Sequence, residues 1–111
     1  LGDAVFHVQM KDNKINTVTR NLNGVIDTKP FGEEQRRTWT FRTVGYGHDV
    51  AFWKDFVSAL RLVGYDGVLS IEQEDSLFSA SEGFHKSLAF VQDLVVRDPD
   101  RATWWPPTQA V

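Results

Sequence analysis

The chain has 111 residues, 41% hydrophobic and 24% charged, with a formal net charge of −3. That length allows one domain or a piece of one, with a modest core. The acidic balance, with no basic run beyond Arg36-Arg37, argues against a nucleic-acid partner. Cysteine is absent, so disulfides and thiolate metal sites are not expected and a cytoplasmic location fits. No apolar stretch approaches ~20 residues, so no membrane span is expected. The first residues lack the pattern of a signal peptide, and Leu1 in place of Met points to processing or truncation.

In chain order, Ala4–Met10 is rich in β-formers and reads as a strand. Alternation sets His7, Gln9 and Lys11 on one face, and Phe6, Val8 and Met10 on the other. From Asp12 to Gly47 turn-formers dominate and no helical period is sustained. Within that excursion Thr38–Val44 alternates as a strand, and Asn23-Gly24 is expected to close a hairpin between Thr17–Leu22 and Val25–Thr28. Asp49 is a suitable N-cap for a helix running to Val63, with Trp53, Phe56, Val57, Leu60 and Val63 as its buried stripe and Gly64 at its end. Ser79-Ala80-Ser81-Glu82 forms a capping box for a last helix, Ser81–Val96, with Phe84, Leu88, Val91, Leu94 and Val95 facing the core. Pro99 stops it, and Trp104-Trp105 is expected to pack back on a surface.

Between the two helices lies the stretch with the most chemical promise. An apolar run, Val68–Ile71, ends in Glu72, Glu74 and Asp75. A buried parallel strand reads this way when its carboxyl end opens into a polar site, and α/β proteins gather ligands at such ends. Strand, helix and strand in that order form a βαβ unit, so the fold class is α/β.

Five motifs coincide in order: Phe6-His7-Val8-Gln9-Met10-Lys11-Asp12, Asn23-Gly24-Val25-Ile26-Asp27-Thr28, Arg37–His48, Gly64-Tyr65-Asp66-Gly67 and Ser70-Ile71-Glu72-Gln73-Glu74-Asp75. Together they resemble the C-terminal part of the sugar phosphate isomerase/epimerase family, a xylose isomerase-like TIM barrel also labelled AP endonuclease family 2. The resemblance implies a single domain over residues 1–111. It would be a partial TIM barrel holding the last two βα units, with a long strand-containing excursion after the first strand. It also implies divalent-metal-dependent isomerisation or epimerisation of a sugar through an enediol. The metal, manganese, magnesium or zinc, would be held by two glutamates, an aspartate and a histidine.

On that resemblance the last glutamate ligand and catalytic carboxylate falls on Glu72, while Gln9 stands at the position of the family histidine. The other two ligands would precede Leu1. One carboxylate does not hold an ion, so no metal is expected in this chain alone. His7 reads first as a buried, hydrogen-bonded strand histidine. Lys11 and Asp12 read as a strand-end ion pair. Arg42 and His48 lie on the excursion near the expected mouth, where Arg42 in a complete barrel would grip an anionic group. His7, Lys11, Arg42 and His48 are the candidate substrate contacts. A sugar is the expected ligand, and either a second copy or an upstream chain is the expected partner. The competing reading is a non-catalytic module that self-associates or binds a partner. AP-site cleavage fits poorly with the negative charge.

Overall fold

The computed structural model describes residues 2–98. Expectations for Pro99 and Trp104-Trp105 lie outside them. The described chain is a mixed α/β structure with two small sheets. The first sheet pairs β1 (Val8–Met10) in parallel with β4 (Leu69–Ile71), Val8 opposite Leu69 and Met10 opposite Ile71. The Glu72 amide donates to the Met10 carbonyl at 3.0 Å and carries the ladder one step further. Between these strands the chain makes the excursion and then α2 (Val50–Leu62); α3 (Ala80–Leu94) follows β4. Parallel neighbours require such a crossover.

The core lies where α2 and α3 meet the parallel pair. Val8, Met10, Val44, Trp53, Val57, Val91 and Leu94 are buried together, with Leu69, Ile71 and Phe90 packed against them. Burying Val8 and Met10 turns Gln9 outward, as alternation requires. The first strand is shorter than Ala4–Met10: Gly2–Ala4 forms a 3-10 turn, and pairing with β4 begins only at Val8. Phe6 therefore lies before the strand and is 89% exposed rather than in the core.

Both long helices begin at the expected caps, although α3 starts at Ala80 rather than Ser81 and ends at Leu94 rather than Val96. The Asp49 carboxylate accepts from the Phe52 amide at 2.9 Å, and the Ser79 hydroxyl from the Glu82 amide at 3.1 Å. The stripe of α3 is rotated from the expected one. Gly83, Ser87, Val91 and Leu94 are buried, whereas Phe84 is exposed. The cause is polar: the Ser87 hydroxyl accepts from the Val44 amide at 3.2 Å and donates to Gln73 Oε1 at 3.2 Å. Gln73 Nε2 in turn donates to Thr43 Oγ1 at 2.9 Å. Any side chain at position 83 would collide with the Gln73 amide.

The excursion departs most from expectation. Asp12–Ile15 is a strand, β2, and pairs antiparallel with β3 (Trp39–Arg42), Asp12 opposite Arg42 and Ile15 opposite Trp39. The hairpin about Asn23-Gly24 does not form. Thr17–Asn23 is instead a helix, α1, capped by the Asn16 side chain, which accepts from the Val18 and Thr19 amides. Gly24, at φ 75°, ends it by donating to the Arg20 carbonyl. Asn16 thus supplies a start signal and Gly24 a stop signal, so the asparagine-glycine step closes a helix rather than a turn between strands.

A 3-10 segment, Phe31–Arg36, folds over β3. Phe31, Trp39 and Phe41 contact one another at 5.1–5.9 Å between ring centroids. The Arg37 guanidinium is buried over the Phe31 and Trp39 rings and donates to the Lys29 and Trp39 carbonyls. Asp27 accepts from the Thr38 amide at 2.5 Å and the Lys29 amide at 2.9 Å. These N–H groups, that of Thr38 first, hold its carboxyl down at about 2.

Candidate functional site

The carboxyl ends of β1 and β4 place Lys11 and Glu72 side by side. Lys11 Nζ lies 2.7 Å from Glu72 Oε1 and 2.9 Å from Glu74 Oε2. It also sits 4.1 Å above the Phe41 ring, which β3 contributes. Lys11, Glu72 and Glu74 side chains are 27%, 35% and 52% exposed. Burial works against the Lys11 ammonium, but the hydrogen bonds and charges of Glu72 and Glu74 outweigh it and raise Lys11 above its ordinary value. Lys11 is therefore held as a cation that donates hydrogen bonds to both carboxylates.

Several sequence expectations change here. Lys11 does not pair with Asp12. Asp12 is buried and accepts from the amides of Asn13, Gly45, Gly47 and His48, from Trp53 Nε1 at 3.2 Å, and from His48 Nδ1 at 2.7 Å. Residue alternation separates the two: Lys11 joins Asn13 and Ile15 on one face of the β2–β3 ribbon, and Asp12 joins Lys14 on the other. His7 is exposed rather than buried, with its Nε2 2.8 Å from Ser70 Oγ. Gln9 is exposed as well.

Arg42 does not present an open guanidinium. It pairs with Glu34 at 3.3 Å and Asp75 at 3.6 Å, and its side chain is 16% exposed. Asp75 also accepts from the Thr43 and Leu77 amides, which ties the excursion to the segment after β4. His48 belongs to the Asp12 cluster on the far face of the ribbon, not to the Lys11–Glu72 pair. The structure thus brings Lys11, Glu72 and Glu74 together and sets Arg42 and His48 into contacts of their own. Phe41, which floors the Lys11 ammonium, had as its only signal its place in the alternating Thr38–Val44 stretch.

Among the described residues, the donor set at the Lys11–Glu72 pair does not fit a divalent ion. Glu72 is engaged by an ammonium, Gln9 offers only an amide, and among the described residues no three His, Cys, Asp or Glu side chains cluster to hold a metal. No helix among the described residues is long and apolar enough to cross a membrane.

No family model matches the chain. Over 95 residues, 86% of its length, it is 34% identical to "Uncharacterized protein YfiH" of Bacillus subtilis (strain 168). It spans 30% of the length of that relative.

Proposed function

We propose that this chain forms the last part of a xylose isomerase-like barrel and supplies one wall of a sugar-binding mouth. The observation that carries the reading is the Lys11–Glu72 pair at the carboxyl end of the parallel β1–β4 ladder. Ligands of α/β folds gather at that end. A cation and two carboxylates beside an aromatic face offer donors and acceptors for sugar hydroxyls and a surface for the C–H face of a sugar ring. The order strand, excursion, helix, strand, helix supports the partial barrel, as does the greater length of the relative.

In this reading the inherited chemistry is isomerisation or epimerisation of a sugar, and Glu72 is the carboxylate next to the reacting carbons. The chain alone is not active, because one wall cannot enclose a substrate. Titration with aldoses, ketoses and their phosphates, followed by NMR, tests the site. Saturable shifts centred on Lys11, Glu72 and Glu74 that disappear in Glu72→Gln are expected. Shifts that are absent, or that survive unchanged in Glu72→Gln, sink the proposal.

A non-catalytic, self-associating module is the second reading. It is favoured by the exposure of Phe6 and Val68 beside a parallel sheet of only two strands among the described residues.

A further inference from the structure

We propose that Asp12 and His48 form a second site, apart from the Lys11–Glu72 pair, in which an oriented imidazole accepts a hydrogen bond from a small hydroxylated anion. Asp12 is fully buried and surrounded by N–H groups. A carboxylate only accepts, so the His48 Nδ1 at 2.7 Å is the donor. In the neutral ring that bond fixes the tautomer: the proton is on Nδ1, and the lone pair is on Nε2 at the opposite edge of the ring. The cradle is built for close approach, because a side chain at position 47 would strike the Asn13 carbonyl and the Asp12 carboxylate. The Phe52 ring stacks on the imidazole at 4.2 Å and 27°, which restricts its rotation. A carboxylate holding a histidine in one tautomer and orientation is the arrangement that makes imidazole an effective proton acceptor.

His48 lines an open depression of about 470 Å³ together with Lys14, Tyr46 and Phe52. The volume suits a small molecule. Lys14 is exposed and pairs with no acid among the described residues. Asp49 lines the depression too, but its carboxylate accepts from the Phe52 amide. The ligand chemistry follows: a hydroxyl to donate to Nε2, and a carboxylate or phosphate to meet the Lys14 ammonium. The site lies on the face of the β2–β3 ribbon opposite Lys11 and Phe41, so it stands or falls independently of the sugar-binding reading.

The chain has three histidines, so ring-nitrogen NMR resolves them. The His48 ring is expected as the Nδ1–H tautomer. Glycerate and glycerol 3-phosphate, which carry both a hydroxyl and an anionic group, are titrated against acetate and sulfate, which test the anion alone. Saturable shifts at His48 and Lys14, with the hydroxylated probes about tenfold tighter than the simple anions, are expected for one added hydrogen bond. His48→Phe keeps the ring stack and should remove that preference, while Lys14→Met should weaken all four probes. Asp12→Asn risks unfolding, so the decision rests on the other two variants. No saturable shift at His48, or a preference unchanged in His48→Phe, overturns the proposal.

Discussion

Asp27 shows how much one carboxylate can organise. It joins the Thr38 and Lys29 amides and is held at about 2, against 3.8 for an unrestrained aspartate. A carboxyl depressed by folding contributes stability that is complete above the unfolded value and fades as the pH falls through the folded one. Acid titration of the wild type should therefore lose this contribution between about pH 4 and pH 2. Asp27→Asn should be less stable at neutral pH and show a flatter acid limb. An unchanged limb, followed by tryptophan fluorescence, would remove Asp27 as the cause. Lys11 gives the opposite sign. Its raised value means that the ammonium beside Glu72 and Glu74 keeps its charge through neutral pH and loses it only in alkali. Because that ammonium occupies Glu72, calorimetry with manganese or zinc should show no tight binding to this chain. Stoichiometric uptake at low micromolar metal would contradict the donor set described above.

At the scale of elements, two contacts invite direct tests. Gly83→Ala sets a methyl group against the Gln73 amide and breaks its link to Thr43 and Ser87. The lost hydrogen bonds should cost about 1–3 kcal/mol, less the gain of up to about 1 kcal/mol from alanine in a helix. Combining it with Gln73→Ala should cost less than the sum of the single changes, because both remove the same interaction. Trp39→Ala removes the ring against Phe31, Phe41 and Arg37, and denaturant melts should register a loss of about 3 kcal/mol. A loss near zero would mean that the excursion is not packed by its aromatics. The same elements show what the sequence could tell. The helices α2 and α3 and strand β4 were legible because their caps and apolar periods agree. The strand β3 was legible from its alternation. The rotated face of α3 was not, since Ser87 is buried for hydrogen bonds that come from residues far along the chain. Strand β2 was not, because Asp12, Asn13 and Lys14 have no apolar alternation and owe their pairing to β3. The Lys11–Glu72 contact joins residues 61 positions apart, so only the βα order hinted at it. The partnership of Asp12 with His48 had no local signal at all.

For the whole molecule, the parallel pair β1–β4 raises the question of what flanks it. The excursion does not, because β3 pairs with β2 and not with either strand of that pair. Phe6 and Val68 stand 89% and 66% exposed beside it. Unpaired strand edges are templates for another strand. The chain by itself should therefore associate, most simply as a two-fold dimer. Light scattering coupled to size exclusion should show a mass that rises with concentration. A monomer at every concentration, with a cooperative melt, would rule this out. On the proposed barrel reading, βα units joined ahead of this chain would cover the same edges, and the dimer would then disappear.

Lys11 alone separates Met10, the last residue of the parallel pair, from Asp12, the first of the antiparallel ribbon. Side chains alternate along an extended backbone, so one residue more or fewer at this point would turn either Met10 out of the core or Asp12 out of its cradle. The length of this segment is therefore fixed, whatever side chain stands at position 11. Insertions should be accepted instead near Val25 and Ile26, which are 54% and 89% exposed. A library of single-residue insertions, screened for folded protein, would show a sharp exclusion from Val8 to Asp12 and tolerance at 25–26.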